Sequence, residues 1–171
     1  SEAEDLCDAG IEDILLANQV TDPVKIRRLA DLAGNCRLTV CVDNAENVKA
    51  LGIAAANCGN TVHCLVEYDI GMGRCGVDTK EEVLALVRKI EEYEALTFDG
   101  IQAYAGHLSH MEDPTQRKAS TAANYARLKE LIAYLQENGV EVNTVSGGST
   151  GTAQIKAMEG LYTELQAGSY L

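Results

Sequence analysis

Aromatic residues and long apolar runs are scarce in this sequence. It has no tryptophan, one phenylalanine and an aromatic content of 5%. No run approaches the roughly 18 consecutive apolar residues of a membrane-spanning helix, and the first residues lack the basic, apolar and small-residue succession of a signal peptide. These absences argue against a membrane protein, a secreted protein and a nucleic-acid binder that stacks bases on aromatic rings. We therefore expect a cytoplasmic protein.

Positive charge is scarce as well. The 171 residues carry 14 Lys and Arg against 26 Asp and Glu, which gives a formal net charge of −12. Nucleic acids and anionic membranes both require a basic face, so we expect neither as a partner. The six cysteines include no C-x-x-C pair, which leaves a zinc ribbon unsupported. We interpret them as reduced thiols.

Six short apolar runs alternate with helical patterns along the chain. The runs are 11–17, 38–42, 62–68, 98–104, 140–145 and 162–167. Helix starts are marked by Asp22-Pro23, by Asn44, by Thr79 with Glu82 three residues later, and by Pro114. Such alternation predicts an α/β fold with a parallel sheet covered by helices.

Two architectures fit this alternation. One is an open doubly wound sheet, and the other is a (β/α)₈ barrel, which needs eight strands. Six strands fit a barrel whose first two strands lie outside this sequence. Composition alone does not decide between them, but in both architectures the functional groups follow the C-terminal ends of the strands.

The first glycine cluster, residues 71–76, fits G-x-G-x-x-G and follows an apolar run. Dinucleotide binding is a poor interpretation, because Glu67 and Asp69 would face the pyrophosphate and the acid expected about 20 residues later falls inside a helical pattern. The purely structural interpretation is a loop whose glycines adopt positive φ angles. The functional one is that glycines let a flat ligand approach the backbone while Arg74 points at it.

The second glycine cluster, residues 146–152, follows the strand expected to end at Val145. A glycine-rich turn that enters a helix offers free N–H groups and a positive dipole end to an anion. Ser149, Thr150 and Thr152 add hydroxyl donors. No lysine follows the turn, so it is not a Walker A loop. The pattern favours a phosphate site, and a plain flexible loop is the alternative.

Gly168-Ser169 follows the last apolar run. In a barrel, the loops after strands seven and eight often share one phosphate site. If two strands precede this sequence, the last two runs are those strands. We therefore expect Gly168-Ser169 to lie beside the turn that follows Val145.

Five segments together resemble the D-threonine aldolase family. They are GIEDILLANQ (10–19), VCVDN (40–44), DIGMGRCGV (69–77), QAY (102–104) and ELQAGSY (164–170). Relatives of this family are the D-threo-3-hydroxyaspartate dehydratases and D-serine dehydratases, and all belong to the alanine racemase-like (fold type III) enzymes that use pyridoxal 5′-phosphate (PLP). The resemblance implies a (β/α)₈ barrel followed by a β-rich C-terminal domain.

The resemblance also implies roles for individual residues. Arg74 resembles the arginine that faces the pyridine nitrogen of PLP, and Tyr104 resembles the tyrosine beside the cofactor. The implied phosphate-binding residues are Gly148, Ser149, Thr150, Gly168 and Ser169, with Tyr170 close by. Asn18 and Gln19 resemble residues on the substrate side. One departure is Ala105, where many members have histidine after the tyrosine.

A larger departure is the lysine that binds PLP as a Schiff base, which in this family ends the first barrel strand. The seven lysines of this sequence fall on helical patterns or loop starts, so we assign no catalytic residue. The family's metal ligands lie in the C-terminal domain, and we expect none here. We interpret residues 1–171 as a partial PLP-binding barrel domain with about six of the eight strands, inactive on its own, with the first strands and the C-terminal β-domain absent.

The function implied is that of a PLP-dependent lyase acting on D-β-hydroxy-α-amino acids. The first expectation is a D-threonine aldolase, which cleaves its substrate to glycine and an aldehyde. The alternatives are a D-3-hydroxyaspartate or D-serine dehydratase, a non-catalytic PLP-binding barrel of the homeostasis type, and an inactive fragment. At full length, we expect a homodimer and a divalent metal bound through the C-terminal domain.

Overall fold

A computed structural model describes residues 1–155 and 160–169 of the protein. The helices are α1 (Glu2–Asp8), α2 (Pro23–Leu32), α3 (Ala45–Cys58), α4 (Lys80–Glu91), α5 (Gly106–Ser109) and α6 (Pro114–Glu137). The strands are β1 (Asp13–Leu16), β2 (Arg37–Val42), β3 (Val62–Glu67), β4 (Leu96–Tyr104), β5 (Thr144–Gly148) and β6 (Glu164–Leu165). A 3₁₀ turn at Thr150–Thr152 follows β5.

The strands follow one another in the sheet in chain order, from β1 to β6. Pairing is parallel, with Asp13 opposite Arg37 in β1 and β2, and Ser146 opposite Glu164 in β5 and β6. A doubly wound sheet reverses its strand order at a switch point, and this order contains no reversal. The predicted parallel α/β sheet is confirmed, and its strand order is that of a singly wound barrel.

Side chains at the predicted helix starts cap the helices. The carboxylate of Asp22 accepts hydrogen bonds of 3.0 Å from the backbone N–H groups of Val24 and Lys25. The Asn44 side chain accepts one of 2.9 Å from Glu46 N–H. These caps satisfy N–H groups that have no partner inside the helix. They explain why α2 and α3 begin where the sequence predicts.

The first of two compact units comprises Ser1–Val66 and Glu81–Asp99. Strand residues of β2 and β3 form its core with the inner faces of α2, α3 and α4. Fully buried examples are Leu38, Val40, Val48, Leu51, Val62, Leu65, Val87 and Ile90. Polar side chains near the strand starts contact one another within this unit. His63 Nδ1 lies 3.0 Å from a carboxylate oxygen of Asp99, which also binds Arg37.

The second unit comprises Glu67–Lys80 and Gly100–Leu171. The long helix α6 buries one face, and its core residues are Ile101, Ala103, Leu108, Tyr125, Leu128, Leu131, Leu135 and Val145. Every residue assigned to the cofactor by the resemblance belongs to this unit. Tyr170, one of them, lies outside the described residues.

The position of β5 corrects a prediction. The sequence predicts a strand over 140–145 and a glycine-rich loop after it, whereas β5 spans Thr144–Gly148. Gly147 explains the difference, since a Cβ atom added there would lie 2.1 Å from the carbonyl oxygen of Ala103. The glycine therefore lets β5 run beside β4 as a strand, and the turn begins only at Ser149. The strand expected over 162–167 is likewise reduced to Glu164–Leu165.

All six cysteines are free thiols, and two of them, Cys41 and Cys64, are buried. None of the helices in the described ranges is both long enough and apolar enough to cross a bilayer.

Candidate functional site

The turns after β5 and β6 lie side by side. The backbone N–H of Ser169 donates a hydrogen bond of 3.0 Å to Oγ1 of Thr150. Just before it, Gln166 N–H donates one of 2.8 Å to the carbonyl of Gly147. Among residues 1–155 and 160–169, no atom lies within 4 Å of a Cβ atom added at Gly168. The two small-residue turns are therefore neighbours, as predicted, and the described part of the chain leaves space beside Gly168.

Two of the hydroxyls predicted to donate to an anion are hydrogen-bonded to each other. Ser149 and Thr152 are 1% and 0% exposed, and their hydroxyl oxygens lie 2.9 Å apart in a mutual hydrogen bond. Burial and this bond engage both hydroxyls within the 3₁₀ turn, and a role of the Ser149 side chain toward a ligand stays a prediction. Ser149 retains its backbone N–H as a donor, and Thr150, which is half-buried, retains its hydroxyl.

The first glycine cluster is a loop closed by the Asp69 side chain. The Asp69 carboxylate accepts hydrogen bonds of 2.7 to 2.8 Å from the N–H groups of residues 71, 72 and 73. The φ angles of its three glycines are +110°, +63° and +100°, which confirms the expected need for positive φ. Because Asp69 already binds the N–H groups that a pyrophosphate would need, the geometry agrees with rejecting a dinucleotide site.

Arg74, which lies in this loop, contacts the ring of Tyr104. The guanidinium carbon of Arg74 lies 5.2 Å from the centroid of the Tyr104 ring, within the range of a cation–π contact. Arg74 Nη2 also lies 3.8 Å from a carboxylate oxygen of Glu67, a side chain that is only 5% exposed. The structure thus brings together two of the residues that the resemblance assigns to the cofactor.

Arg127, on α6, holds the loop from the helix side. Its Nη2 donates a hydrogen bond of 3.1 Å to the carbonyl of Asp69, and its guanidinium lies 5.3 Å from the Tyr68 ring centroid. Sequence reasoning missed this residue, because no local pattern relates a position on α6 to a loop 58 residues earlier.

A polar network joins β4, β5 and the residue that follows β6. Gln166 Nε2 donates to Gln102 Oε1 at 2.5 Å and to Ser146 Oγ at 3.0 Å. Gln102 and Ser146 are both 0% exposed. Gln102 Nε2 has no hydrogen-bond partner among the described residues, and an unsatisfied buried donor is costly unless a ligand or water accepts from it. Sequence reasoning missed all three, although Gln102 shares strand parity with Tyr104.

The remaining predicted residues are placed as follows. Asn18 and Gln19 follow β1 in the first unit, where Asn18 Nδ2 donates to the Gln19 carbonyl at 3.0 Å; their substrate-side role stays a prediction. Six of the seven lysines lie on helices, and Lys156 is outside the described residues. No group of three His, Cys, Asp or Glu side chains suited to a metal ion occurs in the part of the chain that is described.

Comparison with known proteins supplies the family. All 171 residues match the family described as alanine racemase, N-terminal domain. The chain is 43% identical to a 3-hydroxy-D-aspartate aldolase of Paracoccus denitrificans (strain Pd 1222), over 99% of this chain and 44% of the relative. It is 41% identical to a D-threonine aldolase of an Arthrobacter species, over 99% of this chain and 45% of the relative.

Solved structures agree with these sequences. D-threonine aldolase from Filomicrobium marinum matches with a TM-score of 0.96 and 38% identity, over 99% of this chain and 46% of that one. D-threo-3-hydroxyaspartate dehydratase from Delftia sp. HT23 matches with a TM-score of 0.88 and 27% identity, over 99% and 45%. The predicted resemblance and barrel-type fold are confirmed, and the chain spans less than half the length of these relatives.

Proposed function

Because the chain belongs to the alanine racemase N-terminal domain family, we propose that it is part of a PLP-dependent lyase that cleaves D-β-hydroxy-α-amino acids. The single observation that carries this proposal is the identity of 43% and 41% to two aldolases over 99% of the chain. The geometry of the second unit supports the proposal, because it offers a small-residue turn for a phosphate and polar side chains beside an aromatic ring.

The first requirement is a place for a phosphate dianion. The turns at Ser149–Thr150 and Gly168-Ser169 are joined by the bond from Ser169 N–H to Thr150 Oγ1, and no atom of the described residues fills the space beside Gly168. Backbone N–H groups in such turns bind phosphate without a large side chain in the way. We propose that Gly148, Ser149, Thr150, Gly168 and Ser169 hold the phosphate, together with Tyr170.

The second requirement is a surface for a flat ring with polar edges. Tyr104 offers an aromatic face, Arg74 a cation, and Gln102 a buried N–H with no partner among the described residues. An arginine has a pKa above about 12, so it donates a hydrogen bond and gives up no proton. We propose that Arg74 faces the pyridine nitrogen and keeps it unprotonated, while Tyr104 fixes the plane of the ring.

When bound, PLP accepts electron density from the bond that is cleaved at the substrate's α-carbon. In this proposal the residues of this chain bind and orient the cofactor: the turns hold its phosphate and Tyr104 holds its ring. Glu67 lies beside Arg74, and Asp69 closes the loop that carries Arg74. We assign Asn18 and Gln19 to the substrate side. The Schiff-base lysine and the divalent metal belong, in this proposal, to parts of the complete protein other than the residues described.

We favour retro-aldol cleavage over dehydration. The aldolase relatives are 43% and 41% identical to the chain, whereas the Delftia dehydratase structure is 27% identical. In this proposal the complete protein is a cytoplasmic homodimer, and its substrate is D-threonine or D-3-hydroxyaspartate. A dehydratase remains the alternative outcome of the experiment that follows.

Product analysis of the full-length protein tests the reaction. With D-threonine, PLP and a divalent metal, retro-aldol cleavage gives glycine and acetaldehyde, whereas dehydration gives 2-oxobutanoate and ammonia. With D-3-hydroxyaspartate, the aldolase products are glycine and glyoxylate. Glycine formed in equal amount to the aldehyde from either substrate supports the proposal. Ammonia and an oxo acid without glycine would show a dehydratase, and no product from either substrate would contradict both reactions.

A further inference from the structure

The ring of Tyr104 occupies the space where a side chain of residue 106 would begin. A Cβ atom added to Gly106 would lie 2.5 Å from Cε1 and 2.8 Å from both Cζ and the hydroxyl oxygen of Tyr104. Carbon atoms in contact normally lie about 3.5 to 4.0 Å apart. The present position of the Tyr104 ring is therefore compatible with glycine at position 106 and incompatible with any larger residue.

The backbone around Gly106 is held in place more firmly than the ring. Ala105 N–H donates a hydrogen bond of 3.0 Å to the carbonyl of Gly148. Ser109 Oγ accepts one of 3.1 Å from Gly151 N–H, and Leu108 is 1% exposed. These contacts fix α5 at both ends, whereas the Tyr104 side chain is half-buried. A methyl group at position 106 would consequently displace the ring and leave α5 where it is.

The same ring is one side of the cation–π contact with Arg74, whose guanidinium carbon lies 5.2 Å from the centroid. Rotation of Tyr104 away from Gly106 would break this contact. A larger side chain at position 106 would thus displace the ring of Tyr104, and the displaced ring would no longer contact Arg74.

We propose that Gly106 is a positioning residue of the cofactor site: its missing side chain sets the plane of the Tyr104 ring and, through that ring, the place of Arg74. This inference rests on the proposed PLP site for its functional meaning. Its structural content, that Gly106 acts on Arg74 only through Tyr104, is independent of the ligand and is tested separately.

Ligand affinity tests the functional part. The probe is pyridoxine 5′-phosphate, which carries an alcohol in place of the aldehyde and so forms no imine with surface lysines. Gly106→Ala and Tyr104→Ala should each weaken its binding to the chain by about fivefold to tenfold, the effect of losing one ring contact. The double variant should bind no more weakly than Tyr104→Ala alone, because the added methyl group has no ring left to displace.

The chain offers a matched control at Gly52 on α3. A Cβ atom added there would lie 2.5 Å from Cδ1 and Cγ of Tyr93, so Gly52→Ala creates the same kind of clash in the first unit. It should lower the melting temperature as Gly106→Ala does and leave the affinity for pyridoxine 5′-phosphate unchanged. If Gly106→Ala alone does not fold, the double variant with Tyr104→Ala should restore folding.

Ring-current shifts in NMR spectra test the structural part without a ligand. The side-chain protons of Arg74 should be shifted upfield in the wild type and in Gly52→Ala, and lose that shift in both Tyr104→Ala and Gly106→Ala. Unchanged Arg74 shifts or wild-type affinity in Gly106→Ala, additive losses in the double variant, or a double variant that does not fold would each overturn the inference. If the wild type does not bind the probe, the proposed function fails, and the shifts alone decide the role of Gly106.

Discussion

The backbone N–H of Ser169 donates a hydrogen bond of 3.0 Å to Oγ1 of Thr150. This bond joins the turn that follows β6 to the turn that follows β5. It brings together two short stretches, Ser149–Thr150 and Gly168-Ser169, that lie apart in the sequence. This junction places the small residues of both turns beside one another, and we propose that a phosphate binds there.

Replacing Thr150 by aspartate should weaken binding of a phosphate ligand at the junction. A carboxylate near a phosphate dianion is repelled, by about 1 kcal/mol per charge pair at 4 Å in water and more in a partly buried place. We expect at least a tenfold loss of affinity for pyridoxine 5′-phosphate in a fluorescence titration. Thr150→Ser keeps the hydroxyl and is the control, with affinity close to wild type. Equal affinities in all three proteins would mean that the phosphate lies elsewhere.

Arg74→Glu should change the protonation of a bound pyridine ring. A carboxylate facing the ring nitrogen stabilises its protonated form, so the pKa of the bound nitrogen should rise, whereas the wild-type arginine disfavours that form. The ultraviolet spectrum of bound pyridoxine 5′-phosphate, recorded against pH, measures this pKa. Arg74→Lys keeps the positive charge and should behave like wild type. If Arg74→Glu leaves the titration unchanged, Arg74 does not face the nitrogen.

The pair formed by Glu4 and Arg28 should make stability depend on pH. Hydrogen bonds from Arg28 lower the pKa of the Glu4 carboxyl to about 2. A lowered carboxyl pKa adds stability that is complete above the unfolded value of about 4.5 and disappears as the pH falls through about 2. Glu4→Gln should therefore lower the urea midpoint at pH 6, and the difference should narrow toward pH 3.

Glu2→Gln is the control for that comparison. Glu2 belongs to the same acidic first turn of α1, so its replacement removes a charge without removing the pair with Arg28. The urea midpoint of Glu2→Gln should stay near the wild-type value at both pH values. If Glu2→Gln lowers the urea midpoint as much as Glu4→Gln does, the pH dependence comes from the charge of the first turn of α1 and not from the pair with Arg28.

Cys64 should react with iodoacetamide only after unfolding. Burial, reinforced by the nearby Asp99 carboxylate, raises the pKa of the Cys64 thiol to about 12. Little thiolate is then present at pH 8, and the thiolate is the reacting form. Mass spectrometry after brief labelling should find Cys64 unmodified in the native chain and modified in urea. The half-buried cysteines, Cys7, Cys36, Cys58 and Cys75, should be labelled before Cys64. Rapid native labelling of Cys64 would show that β3 is open to solvent.

Most of the fold can be predicted from residues that lie close together in the sequence. Asp22 and Asn44 were expected to cap helices and do so, because a cap depends on residues two and three positions away. The boundary of β5 was missed for the opposite reason. Gly147 reads locally as a turn residue, and only the approach of the Ala103 carbonyl from β4 makes it a strand residue.

The candidate site likewise contains some residues that the sequence predicts and others that it does not. Arg74 and Tyr104 were found because they lie in segments that resemble a known family. Arg127 and the Gln102–Gln166 pair were missed, because their contacts join positions 58 and 64 residues apart and no spacing rule predicts such contacts. Ser149 and Thr152 were assigned to a ligand because hydroxyls in a turn suit phosphate, and their mutual hydrogen bond became visible only with the fold.

The central claim is that the turns after β5 and β6 form the phosphate part of a PLP site. Comparing the affinities of the chain for pyridoxine 5′-phosphate and for pyridoxine, which differ only in the phosphate, tests it most directly. The account predicts that the phosphorylated ligand binds at least tenfold more tightly, and that Thr150→Asp removes most of this preference. Equal affinity for the two ligands in the wild-type chain would contradict it.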